Sequence, residues 1–192
     1  MEEFWSNQGV FLKCLTVFIS IILHQSTGCQ DSPVGIADIG IIPDNRFTAS
    51  SYYVGYDGDT RYKPKEARLD GAERGWAPKT TTDPNDYLQI ELSQVFVICA
   101  VATQGNKVVN EWTTQYKIST SVDNSTWTIY KNGSADKLFR GNTDSNTVVK
   151  NDLDYPVLVR YIRFIPTMYH GYKTLRVEAY GVRRGKSGNE CF

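Results

Sequence analysis

The sequence predicts an all-β fold, a sandwich or barrel of antiparallel strands, on three observations. Short apolar or alternating runs recur from residue 45 onward, at intervals of roughly ten residues. Gly, Asn, Asp and Pro separate these runs, as expected of turns. Aromatic residues are plentiful, with 12 Tyr, 8 Phe and 4 Trp, and favour strands, whereas helical periodicity is almost absent.

Eight runs are the predicted strands, and their side-chain patterns assign faces. A continuous apolar run indicates a strand buried in the middle of a sandwich, and strict alternation indicates one buried face. In order along the chain the runs are YLQIEL (87–92), VFVICAVA (95–102), QYKIST (115–120), WTIY (127–130), LF (138–139), TVV (147–149), RYIRFI (160–165) and LRVEAY (175–180).

The last run alternates most clearly. Leu175, Val177 and Ala179 are expected to face the core, and Arg176 and Glu178 to face outward. In RYIRFI, Arg160 and Arg163 are expected to pair with carboxylates across the sheet.

The N-terminus predicts a signal peptide over residues 1–28. The apolar run CLTVFISIIL (14–23) follows Lys13 and is too short to span a bilayer. Ser26 and Gly28 are small, so cleavage is expected after Gly28, which predicts a secreted, extracellular protein. A signal anchor that stays attached is the alternative, because the leading segment is acidic.

Composition narrows the function classes. Lysine plus arginine equals aspartate plus glutamate at 21 each, so no global field selects nucleic acid. The 192 residues suit one domain. Beyond the signal segment His170 is the one histidine, and no Gly-x-Ser-x-Gly elbow is present, so no enzyme is predicted.

Three cysteines follow the signal segment, so at most one intrachain disulfide forms. Cys29 and Cys191 lie at the two ends of the mature chain and are the expected pair, leaving Cys99 as a small buried hydrophobe. Cys29 with Cys99, or no bridge, stays open. Two tripeptides in predicted turns, at Asn124 and Asn132, are expected N-glycosylation acceptors.

Nine runs along the chain carry a resemblance to a known family: IPDNRFTASS (42–51), ARLD (67–70), GWAP (75–78), DYLQIEL (86–92), VATQG (101–105), QYKISTSVDNSTWTIY (115–130), GNTD (141–144), RYIRFIP (160–166) and HGYKTLRVEAYG (170–181). In these runs and in their order the chain resembles the discoidin domain family, also called the coagulation factor V/VIII type C domain. The resemblance implies an eight-stranded antiparallel jelly-roll β-sandwich of the galactose-binding-like type over residues 29–182, followed by a basic tail, 183–192. Val182 stands where the family usually has a cysteine.

The resemblance also implies that ligand is bound by loops at one end of the sandwich. By motif position these loops are residues 52–66, 78–86 and 105–112. The expected ligand-binding residues are Tyr52, Tyr53, Tyr56, Asp57, Asp59, Arg61, Lys79, Asp83, Lys107, Val108, Val109 and Trp112.

Tyrosines, aspartates and an arginine in the first loop suit a carbohydrate or glycoprotein, because flat rings pack on sugars and polar groups bond hydroxyls. The expected function is therefore cell adhesion or extracellular-matrix binding, in which a homo-oligomer would multiply weak affinity. Asp57 and Asp59 are candidate calcium ligands, although a plain Asp-Gly turn is the more common explanation of such a sequence. The alternative is peripheral binding of anionic phospholipid (phosphatidylserine) through Val108 and Val109.

Overall fold

A computed structural model describes residues 28–56, 58 and 60–185. The regular secondary structure of the described chain is almost entirely β-strand, with two short 3-10 helices, Asp44–Arg46 and Pro64–Glu66. Its strands are β1 (Phe47–Ala49), β2 (Leu88–Gln104), β3 (Trp112–Ser121), β4 (Thr128–Ile129), β5 (Lys131–Asn132), β6 (Ala135–Asp136), β7 (Phe139–Arg140), β8 (Val149–His170) and β9 (Arg176–Arg183). The all-β antiparallel sandwich is thus confirmed.

Two long strands, β2 and β8, connect the layers of the sandwich. Their register breaks between Glu91 and Phe96, and this break separates the predicted runs YLQIEL and VFVICAVA. The first arm of β2 pairs with β1 and the end of β8, and its second arm pairs with the start of β8 and with β9. Strand β3 extends the first group by pairing with β8, β4 and β7.

Both ends of β2 lie at the same pole of the sandwich. Asp86, just before β2, forms an ion pair with Lys173, and Gln104 at the end of β2 pairs with Arg176. We call this end the loop pole. The register break, where Phe96 pairs with Arg183, marks the opposite end, the far pole.

The core lies between the layers and follows the predicted alternation. Leu88, Ile90 and Leu92 are fully buried, and so are Leu175 and Val177. Each fully buried aliphatic side chain contributes roughly 1.5–3 kcal/mol relative to an exposed one. Trp76 is also fully buried, and its indole nitrogen donates to the carbonyl of Ser51 at 2.8 Å.

The outward face of β9 contradicts the expectation from alternation, because Arg176 and Glu178 are buried, at 1% and 2% exposure. Glu178 accepts hydrogen bonds from the backbone N–H groups of Ile36 and Ala37 at 3.1 and 2.9 Å. Burial raises the pKa of Glu178. Irregular segments, rather than solvent, cover this face of β9. The polar side chains on it are therefore buried.

Arg176 is the anchor of those segments. Its guanidinium donates to the carbonyls of Gly105, Gly71 and Ser145 at 2.7, 3.1 and 3.0 Å. The three carbonyls belong to three separate connections, so a single side chain fixes their relative positions. Buried carbonyls without a donor are destabilising, which makes this arrangement costly to disrupt.

The two arginines of RYIRFI behave differently. Arg160 donates to Glu91 at 2.9 Å, as expected. Arg163 instead donates to the side-chain amide oxygen of Gln89 at 2.8 Å, so its predicted carboxylate partner is wrong. The glycosylation candidates Asn124 and Asn132 are exposed; Asn124 lies in the turn between β3 and β4, and Asn132 ends β5.

The disulfide joins Cys29 to Cys99, with 5.8 Å between their Cα atoms, and corrects the expected Cys29–Cys191 pair. The N-terminal segment runs beside β9: Val34 donates to Ala179 at 2.9 Å, and Gly181 donates to Ser32 at 2.8 Å. Since β9 neighbours β2, this pairing brings Cys29 to Cys99. Cys191 lies outside the described residues.

Replacing both Cys29 and Cys99 with alanine is expected to lower the free energy of unfolding by about 2–4 kcal/mol, because the bridge restricts the unfolded chain. Chemical denaturation measures the change, with Cys191→Ala as the control that leaves stability unaltered. A non-reduced digest in which Cys29 is linked to Cys191 would contradict the assignment.

Arg176→Met is expected to lower the free energy of unfolding by about 2–5 kcal/mol, because it leaves buried carbonyls without donors. Arg183→Met, on the exposed end of the same strand, is the matched control and is expected to change stability by less than about 0.5 kcal/mol. Equal effects from the two variants would show that the three carbonyl contacts add nothing.

Candidate functional site

The three predicted loop segments converge at the loop pole. Strand β3 begins at Trp112, which pairs with His170 at the end of β8, so residues 105–111 and 171–175 leave the sheet together. Tyr53 contacts Tyr172 with ring centroids 5.6 Å apart, and this contact brings residues 52–66 alongside them. The hydroxyl of Tyr172 donates to the carbonyl of Lys79 at 3.0 Å, which attaches residues 78–86.

A buried ion pair holds the second loop in place. The ammonium of Lys173 lies 3.2 Å from the carboxylate of Asp86, and both side chains are almost fully buried. Lys173 also donates to the carbonyl of Asp83. Ser50 adds a hydroxyl donor to the Asp86 carboxylate at 3.2 Å, so the pair is compensated by hydrogen bonds as a buried charge requires.

A cavity of about 110 Å³ opens between these segments, lined by Tyr53, Tyr62, Tyr172 and Glu111. Tyr53 meets the other two rings edge-to-face, at centroid distances of 5.2 Å to Tyr62 and 5.6 Å to Tyr172. This arrangement creates an angular, partly apolar recess rather than a flat stack.

Burial affects the protonation of two tyrosine hydroxyls at the cavity. Burial raises the pKa of both the Tyr62 and the Tyr172 hydroxyls, so both are protonated at neutral pH. Oε2 of Glu111 accepts hydrogen bonds from the Asn106 amide at 3.0 Å and from the Thr174 hydroxyl at 3.3 Å. The carboxylate is therefore oriented by side chains from two connections.

Asn106 shapes the third loop from within. It is fully buried, and its side-chain oxygen accepts from the backbone N–H groups of Val108 and Val109 at 2.9 and 3.3 Å. This turn leaves Val108 57% exposed. Gly105 precedes it where a Cβ would lie 2.6 Å from the Cβ of Trp112, so only glycine fits the approach.

The predicted site residues thus divide between cavity, rim and neighbouring surface. Tyr53 lines the cavity, and Trp112 is half-buried with its ring stacked on His170 at 4.2 Å. Val109 is half-buried. Asp57 and Asp59, the calcium candidates, lie outside the described residues. The remaining members are exposed: Tyr52, Tyr56, Arg61, Lys79, Asp83, Lys107 and Val108.

Glu111 and Tyr172 were not among the residues expected to bind ligand. Glu111 immediately precedes the predicted Trp112, and Tyr172 follows His170 in the connection between the last two strands. No motif distinguishes either of them. The topology of the fold could have identified them, because a connection that begins and ends at the loop pole places its residues beside the predicted binding loops.

The described residues contain no metal-binding cluster and no helix suited to span a membrane. Within them, no group of three or more His, Cys, Asp and Glu side chains could hold a metal ion. In the same portion of the chain, no helix combines the length and apolarity needed to cross a bilayer.

Comparison with known proteins agrees with this architecture. Residues 46–179 match the model of the F5/8 type C domain. Human neuropilin-2 is 34% identical over 155 residues, which are 79% of this chain but only 16% of neuropilin-2. The chain therefore corresponds to a small part of that relative.

Two solved structures share the fold. Discoidin II from Dictyostelium discoideum superposes with a TM-score of 0.62 at 24% identity, covering 74% of this chain and 56% of discoidin II. A family 32 CBM from C. perfringens NanJ, solved in complex with galactose, gives a TM-score of 0.51 at 18% identity, covering 73% and 97%.

At these sequence identities the likeness to the solved structures establishes the fold alone. The match to the family model covers most of the described chain and establishes the family. The antiparallel strand order described above is consistent with the match to this family. The chain belongs to the F5/8 type C domain family.

Proposed function

We propose that this chain is a secreted, non-enzymatic recognition module that binds carbohydrate or glycoprotein ligands in cell adhesion or matrix binding. The observation that carries the proposal is the cavity lined by Tyr53, Tyr62, Tyr172 and Glu111 at the loop pole. The first and third predicted loops and the 171–175 connection contribute residues to this recess, and the second loop is attached beside it through the carbonyl of Lys79.

The chemistry of the cavity suits a sugar. Tyrosine rings offer apolar surface to C–H groups, and the Glu111 carboxylate is an acceptor for sugar hydroxyls. At about 110 Å³ the recess takes part of a ring, or one side chain of a protein ligand, rather than a whole oligosaccharide. Exposed rim residues such as Tyr56 and Lys79 are available to contact the remainder.

Four features support export and the absence of chemistry. The chain carries a disulfide, which is typical of oxidising compartments, and Asn124 and Asn132 are exposed in sequons. The N-terminal apolar run suits a signal peptide. At the loop pole the His170 ring is stacked on Trp112, which supports a packing role for it.

Tyr53→Ala and Glu111→Gln are each expected to weaken binding to the best ligand of a glycan array by at least about tenfold, equivalent to ~1.4 kcal/mol. The first variant removes a wall and the second removes the charge while keeping the shape. Tyr155→Ala, which removes an exposed ring on β8, is the control and retains binding.

Thermal unfolding of each variant separates lost contacts from lost structure. If both cavity variants fold and bind like the parent protein, the cavity is not the ligand site. Repeating the array with a chelator tests calcium: loss of binding on chelation assigns a calcium role to the loop that contains Asp57 and Asp59.

A second candidate function, binding of anionic phospholipid, is favoured by the exposure of Val108 beside Lys107. An apolar tip next to a lysine suits insertion between acidic headgroups. One valine contributes little, and Glu111 and Asp83 lie at the same pole, so we rank this function below carbohydrate binding.

Val108→Asp is expected to abolish any sedimentation that depends on phosphatidylserine, because a carboxylate at the tip is repelled by the acidic surface. Vesicles of pure phosphatidylcholine are the control. Strong phosphatidylserine dependence that sugars do not compete with would reverse our ranking of the two functions.

A further inference from the structure

A second recess lies on the outer face of the sheet formed by the first arm of β2, the end of β8, β3 and β4. Its volume is about 420 Å³, and it adjoins residues Pro84 and Asn85 of the second loop. Its lining includes Tyr87, Trp127 and Arg163, together with Lys117 and Ile165. None of these residues lines the tyrosine cavity at the loop pole.

Contacts within the protein orient Arg163 in this cleft. Its guanidinium carbon lies 3.7 Å from the Trp127 ring centroid and 4.0 Å from that of Tyr87, so it contacts both rings. Its Nε donates to the side-chain oxygen of Gln89 at 2.8 Å. Two rings and a hydrogen bond thus fix the orientation of the planar group before any ligand binds.

The terminal nitrogens of Arg163 remain as donors. Among the described residues its partners are Gln89 and the two rings, and none of these accepts from Nη1 or Nη2. The nearby charges are already matched: Glu91 pairs with Arg160, and Lys117 pairs with Asp136 at 2.9 Å. The positive charge of Arg163 therefore has no carboxylate partner within the described part of the chain.

We propose that this cleft binds the carboxylate of an acidic sugar residue, with the open edge of the Arg163 guanidinium as the anchor. A planar guanidinium whose Nε edge is occupied still presents two parallel donors, which match the two oxygens of a carboxylate. The sugar ring then lies over the aromatic and aliphatic side chains that surround Arg163.

Three observations favour an acidic monosaccharide over other anions. The cleft offers one uncompensated cation, because Lys117 is already paired with Asp136, whereas a polyanion needs several. Trp127, Tyr87 and Ile165 give the flat apolar contact that a pyranose ring uses and a bare phosphate does not. Trp127, which lines the cleft, also carries an indole N–H donor suited to a sugar oxygen.

This inference does not depend on the proposed function of the tyrosine cavity, because the two recesses share no lining residue. If Tyr53→Ala does not affect binding, the proposal for the cavity fails and the proposal for the cleft still stands. Conversely, if the cleft variants bind acidic sugars normally, the proposal for the cleft fails and the proposal for the cavity still stands.

The experiment titrates the folded protein with methyl glucuronide and with N-acetylneuraminic acid, using methyl glucoside as the neutral counterpart. Amide, indole and guanidinium N–H signals are followed by NMR. We expect the acidic sugars to shift the Trp127 indole and the Arg163 Nε–H signals, and the neutral sugar to bind at least tenfold more weakly.

Two kinds of variant test the anchor. Arg163→Lys keeps the charge but loses the fork, and at least a tenfold loss of affinity is expected. Because Arg163 also packs between rings, a second variant leaves it intact: Ile165→Glu places a carboxylate two residues along the same face of β8, where it competes for the guanidinium. Ile165→Gln is its neutral control and is expected to keep most of the affinity.

Several results would overturn the proposal. These are equal binding of acidic and neutral sugars, equal loss in Ile165→Glu and Ile165→Gln, or shifts confined to Tyr53 and Tyr172. Acetate binding as tightly as the acidic sugars would show that the cleft recognises a carboxylate without a sugar. Tighter binding of an aspartate-rich peptide would assign the cleft to acidic protein segments.

Discussion

The buried face of β9 is the constraint on which the loop pole depends. Arg176 joins the carbonyls of Gly105, Gly71 and Ser145, and Lys173, just before the strand, holds Asp86. Loops alone would sample many conformations, but each of these is attached to one strand by charge-assisted hydrogen bonds with little access to water. The position of the tyrosine cavity is a consequence, because its walls come from segments that would otherwise have no fixed relation.

Strand periodicity predicted the inner half of this structure well and the outer half poorly. Alternation placed Leu175 and Val177 in the core correctly, since a strand must bury its apolar face. The same rule placed Arg176 and Glu178 in solvent, where polar residues usually lie, and it failed because loops cover that face. Covering segments carry no periodic signal, so a single sequence does not show which polar residues they bury.

The site shows the same division between local and long-range information. The loops were identified by motif position, and Tyr53 among them lines the cavity, but Glu111 and Tyr172 carry no local signal. The cysteine pairing depended on the path of residues 32–34 beside β9, which cannot be read from cysteine spacing. Arg163 was expected to meet a carboxylate, and its actual position between Trp127 and Tyr87 reflects cross-strand packing that spacing alone does not specify.

The disulfide and the end of β9 also determine where the two ends of the domain lie relative to the tyrosine cavity. Cys29 is fastened to Cys99 on the second arm of β2, and Arg183 lies opposite Phe96, so both ends of the sandwich sequence lie toward the far pole. The described residues Cys29 and Arg183 therefore both lie on the side away from the tyrosine cavity. A surface or a neighbouring domain attached there would leave the tyrosine cavity facing away from the attachment and toward solvent.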